Sequence, residues 1–192
     1  MQIAPAQSFH ILAFWVGAFA AATAGAQSTA PTTQPVDQPA FPATWCGLWK
    51  GPVHSTSPGG EPVVGAMELL IAPTDNPNRF AWQISYISSQ ERQTRGYELV
   101  ILDPSTGRYA IDERNSVILY SYFVENTLYQ MFTIQEVQVL GSYRLEGEQL
   151  LVDMVRVDPK RPRASGGERG APACVTLPIR NVQRAVLRRE QP

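Results

Sequence analysis

The chain has 192 residues with 16 basic and 17 acidic side chains, a formal charge of −1. Such a balance offers no global field for nucleic acid or an anionic membrane, so no nucleic-acid partner is expected. The length suits one domain with a sizeable core.

Residues 11–22 form an apolar run too short to span a bilayer comfortably, and Ala24-Gly25-Ala26 follows it. This pattern predicts a signal peptide over residues 1–26, cut after Ala26, although no Lys or Arg precedes the run. An uncleaved anchor is the other reading. Gln27 at the new terminus, in place of a cysteine, disfavours a lipid anchor. Residues 27–43 are mostly Gln, Ser, Thr, Pro and Ala and read as a flexible linker. The expected product is a secreted or periplasmic protein with one folded domain over 44–190 and no integral membrane span once the signal is gone.

That domain reads as strand after strand. Residues 44–51 form a first strand with Trp45, Gly47, Trp49 and Gly51 on one face, and a loop carrying His54 follows. Val63, Gly65, Met67, Leu69 and Ile71 alternate next. Pro73 to Asn78 is a turn of residues that favour tight or left-handed backbone. In residues 79–86, Phe80, Trp82, Ile84 and Tyr86 hold every second position. Arg95, Tyr97, Leu99 and Ile101 repeat the period, which is the mark of half-buried strands. Further strands are predicted over 108–112, 117–124, 127–134, 137–145 and 150–157, with short polar breaks that suit hairpins.

Residues 158–173 turn to Pro, Gly, Ser, Ala and Arg and predict a long surface excursion. Pro178, between Val175, Leu177 and Ile179, cannot donate to a ladder and marks an edge or a bulge. Residues 182–189 suit a strand or a short helix, the strand being favoured. The fold class is therefore all-β, an antiparallel up-and-down barrel of roughly ten strands. Closure hides every edge, although a two-sheet sandwich also accounts for the pattern.

Cys46 and Cys174 lie near the two ends of the domain. An even count in an exported chain predicts a disulfide between them.

The motif Gly47-Leu48-Trp49, at the head of this run of strands, resembles the first strand of the calycins, the lipocalins and fatty-acid-binding proteins. That resemblance implies a Trp49 laid across the closed end of a barrel and paired with a late arginine, Arg188 or Arg184. Haem-binding members of the wider group use a histidine ligand, and past the signal only His54 is available. No cofactor or metal is expected.

No G-x-S-x-G, P-loop, G-x-G-x-x-G or H-E-x-x-H occurs. Asp112-Glu113-Arg114-Asn115 suits acid–base chemistry in composition, but a charged hairpin tip is the favoured reading. The functional expectation is a non-enzymatic barrel holding a small apolar or amphipathic ligand among Trp82, Tyr86, Arg95, Tyr97, Phe132 and Tyr143. An inward Arg95 would need a partner, either Asp153 or a ligand anion. The alternative is a barrel filled by its own side chains that serves the cell envelope or a protein partner.

Overall fold

A computed structural model describes residues 40–191. The predicted signal peptide and most of the linker lie outside the described residues. No described helix is long and apolar enough to cross a membrane, a statement that does not extend to β-barrels.

Ten strands close into one antiparallel barrel. They are β1 (Gly47–Thr56), β2 (Val63–Pro73), β3 (Arg79–Ile87), β4 (Arg92–Asp103), β5 (Arg108–Asp112), β6 (Ile118–Val124), β7 (Thr127–Ile134), β8 (Val137–Glu146), β9 (Gln149–Val157) and, after an excursion, β12 (Ile179–Arg189). The excursion carries a ribbon of its own, β10 (Arg163–Ser165) with β11 (Cys174–Thr176). Each barrel strand pairs with its chain neighbours until β12 inserts between β9 and β1 and removes the last edge.

Local chemistry sets the connections. Glu125 and Asn126 both adopt left-handed backbone, φ 46° and 60°, the requirement of a two-residue hairpin turn whose twist matches the strands. The bulge expected near Pro178 is present, with the β12–β9 register slipping between Ile179 and Asn181. Residues 182–189 are strand. At Gly51 a Cβ would stand 2.0 Å from the Val186 carbonyl oxygen, so only glycine lets β12 approach β1 there.

The period-two alternation puts Trp49, Met67, Leu69, Ile71, Trp82, Leu99, Leu128, Leu150 and Leu187 on the inner wall, where they are buried. One end of the barrel, where β1 starts and β12 stops, is packed solid. Residues Ala43–Trp45 form a 3-10 turn rather than the head of the first strand. Trp45 and Phe41 drop from it onto Tyr109 and Phe123, with Phe41 stacked on Phe123 at 4.1 Å. The Trp49 indole N–H donates to the Trp45 carbonyl at 2.8 Å.

A late arginine does cover Trp49, but it is neither Arg188 nor Arg184. Arg189 lies 4.5 Å over the ring and donates to the Thr44 carbonyl at 2.7 Å. Arg188 stands opposite Lys50, one position out of phase, and Arg184 pairs with Asp153 at 3.0 Å.

Two further expectations are corrected. His54 lies in β1 and not in a loop, on its exposed outer side. Cys46 and Cys174 are free thiols. Cys46 precedes β1 at the closed end, whereas Cys174 precedes the start of β12, which pairs with the far end of β1 through Thr56 and Val182. The length of a ten-residue strand separates those levels, far more than the 4.4–6.8 Å Cα separation of a disulfide.

Candidate functional site

Away from the plug, the inner wall opens into a mouth with a cavity of about 190 Å³. Tyr86, Arg95, Tyr97, Phe132 and Tyr143 line it together with Ile84, Glu113, Gln130, Met154 and Arg156. Trp82 does not line it. It is fully buried one step closer to the plug, packed edge-on against Tyr143 at 5.1 Å, and its indole N–H lies near the Tyr143 phenol without a well-formed hydrogen bond.

The register explains this grouping. Trp82 stands opposite Tyr97 and Ile84 opposite Arg95, so Arg95 shares the inner face one rung nearer the mouth. On the far side Val152, Met154 and Arg156 occupy alternate inward positions of β9. Strands β4 and β9 are five steps apart in a ring of ten, so the two guanidiniums face the lumen from opposite walls.

Among the described residues neither arginine pairs with a carboxylate. Arg95 donates to the Gln93 amide oxygen at 3.3 Å, and the Tyr97 phenol beside it, with Glu113 and Tyr86 near, favours its charged form. Arg156 makes long contacts of 3.4 Å to the amide oxygens of Asn181 and Gln183. Asp153, the carboxylate considered for Arg95, points outward to Arg184.

The remaining polar groups are tied to one another. The Gln130 amide donates to the Ser121 hydroxyl at 3.1 Å, and the Gln183 amide donates to the Tyr86 hydroxyl at 3.1 Å. Burial pushes the Tyr143 phenol far up, with Tyr86 and Tyr97 adding to the shift, so it stays a neutral hydroxyl. Gly141 sits between Gln130 and Met154, and a Cβ there would come 2.7 Å from the Met154 sulfur. The Met154 side chain fills the place a side chain would take there.

The charged run at residues 112–115 divides between two faces. Asp112 pairs with Arg79 at 3.1 Å and Arg114 with Glu98 at 2.6 Å outside the barrel. Glu113 alone turns to the mouth. Arg156 and Gln130 escaped sequence reasoning. Their signal was the inward phase of 152-154-156 and 128-130-132, visible only once the phase of neighbouring strands is known.

A larger groove of about 530 Å³ lies outside the closed end, between Trp49, Gly147 and residues 188–191. It lies beside the end of β12 and has Trp49 as its one aromatic wall. The mouth cavity is the one that combines aromatic walls with convergent polar groups.

No protein-family model matches the chain, and no curated protein does. Solved structures do resemble it. One is a protein of unknown function from the DUF3598 family of Nostoc punctiforme, at a TM-score of 0.52 and 10% identity over 76% of this chain and 47% of that one. Another is the S-type phycobiliprotein lyase CPES from Guillardia theta, at a TM-score of 0.52 and 9% identity over 77% of this chain and 89% of that one. The chain thus spans about half the length of the first. At such identities the likeness shows the shared fold alone, a closed ten-strand antiparallel barrel.

Proposed function

We propose that the protein is an exported calycin-type barrel that holds a small amphipathic acid, its apolar part against Tyr143, Phe132 and Ile84 and its anionic group between Arg95 and Arg156. The observation that carries this reading is the pair of guanidiniums on opposite walls of one aromatic-lined cavity, which outnumber its one acidic lining residue, Glu113, and form no salt bridge with it. Arg95 is exposed at the mouth and Arg156 is half-buried, so an anion arriving there meets charge-assisted donors beside apolar surface. The volume of about 190 Å³ is below the roughly 300–1,000 Å³ of most ligand pockets. It suits a short acid, or the head of a longer molecule whose tail emerges at the mouth. The calycin reading rests on the Gly47-x-Trp49 motif under its arginine at the plugged end.

The role is binding and not turnover. Gln130 is engaged with Ser121 and Gln183 with Tyr86, and Tyr143 is held neutral, which suits a passive wall. One structural neighbour is named a lyase, and the shared fold brings no activity with it. A second reading, a self-filled structural barrel, draws on the half of the interior that is packed solid by Trp45, Trp49 and Trp82.

The test is displacement of 1-anilinonaphthalene-8-sulfonate by saturated acids of two to ten carbons, with native mass spectrometry of protein purified from its own host. Arg95→Ala and Arg156→Ala should each weaken an acid by about 1.5–3 kcal/mol, the worth of a charged hydrogen bond. The matching alcohols should bind equally to all variants. If no acid binds and neither substitution matters, the self-filled reading holds. Amino-terminal sequencing of exported material tests cleavage after Ala26.

A further inference from the structure

The outer wall carries a second feature, independent of the lumen. On β6, β7 and β8 the outward positions include Ile118, Tyr120, Tyr122, Tyr129, Met131 and Leu140, and all six are exposed, Tyr120 to 66% and Met131 to 65%. They form one patch. Tyr122 pairs across strands with Tyr129 and Met131 with Leu140, and the same β6–β7 register sets Tyr120 beside Met131. A solvated antiparallel wall ordinarily alternates apolar inward with polar outward. Here both faces are apolar, and no described element of the protomer covers the outer one.

We infer that this wall is the interface of a homodimer, its occupant a second copy of the same chain. The first argument is area. Taking about 150–250 Å² for each fully exposed large side chain and scaling by exposure, the six present about 480–800 Å². Two such faces together remove about 950–1,600 Å² from water, which reaches into the ~1,200–2,000 Å² of stable specific interfaces. On a monomer, the largest apolar patch is ordinarily about 300–600 Å².

Composition gives the second argument. Three tyrosines and a methionine with no charge among the six match the enrichment of interface centres in aromatics and Met.

Charge gives the third. Arg108, cross-strand from Tyr122, stands at the closed end of the patch, and Asp112, cross-strand from Ile118, stands at the mouth end. A two-fold axis that sets the barrels antiparallel brings each Arg108 toward the Asp112 of the second copy, a carboxylate that already accepts from Arg79 at 3.1 Å in its own protomer and would then bridge two guanidiniums. Such a contact is isologous and closes at two. It leaves both mouths open at opposite ends of the assembly.

Sedimentation velocity of the mature chain from 1 to 100 μM tests this. The expected result is a dimer. Met131→Arg, which places a cation in the middle of each face, should weaken dimerisation at least 100-fold, and Tyr120→Ser should weaken it as well. Both side chains are solvent-exposed in the protomer, so far-UV circular dichroism and binding at the lumen should be unchanged. Val64→Glu, an equally exposed site on β2 across the barrel, should dimerise like the parent. A parent chain that stays monomeric at 100 μM overturns the proposal, as does a dimer indifferent to both substitutions or one broken by Val64→Glu. A monomer that sediments with phosphatidylcholine–phosphatidylglycerol vesicles through this face would assign it to lipid instead.

Discussion

Trp49 is the keystone of the closed end, and its truncation gives the most direct test of how the barrel is held shut. The side chain is 1% exposed, its N–H donates to the Trp45 carbonyl at 2.8 Å, and Arg189 lies 4.5 Å over its face. Truncating a large buried aromatic to alanine costs about 3–5 kcal/mol through lost transfer energy and the cavity left behind. The abandoned carbonyl acceptor adds about 1 kcal/mol. Stripping Arg189 of its ring adds about 0.5 kcal/mol, because that guanidinium is largely in solvent. Trp49→Ala should therefore lose about 4.5–6.5 kcal/mol, a large share of the ~5–15 kcal/mol that holds an ordinary domain. Trp49→Phe keeps most of the ring and drops the donor, so about 1–2 kcal/mol is expected. Urea unfolding followed by far-UV circular dichroism reads both, with the denaturant slope checked for constancy. The reasoning fails if Trp49→Ala costs less than about 1.5 kcal/mol, or if Trp49→Phe costs as much as the alanine variant.

Two further outcomes are expected. Hydrogen bonds from Arg161, with the Lys160 amide and Arg180, hold the Asp158 carboxyl below the usual carboxylate range. Because its folded value is depressed, its stabilisation is complete above the unfolded value of about 4 and disappears as pH falls through the folded value. Asp158→Asn should flatten that part of the acid-unfolding curve, and an unchanged profile would remove Asp158 as its cause. Second, Ellman's reagent should find two thiols in the native protein, fast at exposed Cys174 and slow at half-buried Cys46, whose thiol is pushed up by burial. A linked Cys46–Cys174 peptide in unreduced protein would contradict the separation of the two barrel ends.

The strands were legible in the sequence because their signal is local. Residues 79–86 and 127–134 alternate with period two, and Glu125-Asn126 announces its turn, so strand count and class follow without long-range information. Period alone does not say which phase faces inward where both phases are apolar. In residues 118–124, Ile118, Tyr120 and Tyr122 alternate with Leu119 and Phe123, and only barrel closure sends the first set to the outer wall. The same one-residue phase decides that Arg189 and not Arg188 covers Trp49, and it brings Arg156 into the lumen opposite Arg95. The distance between Cys46 and Cys174 was likewise undecided, since nearness to the two ends of a chain says nothing of which barrel end each reaches. Alternation is written residue by residue, whereas phase and proximity are properties of the closed ring of hydrogen bonds, and that exists only when all ten strands are paired.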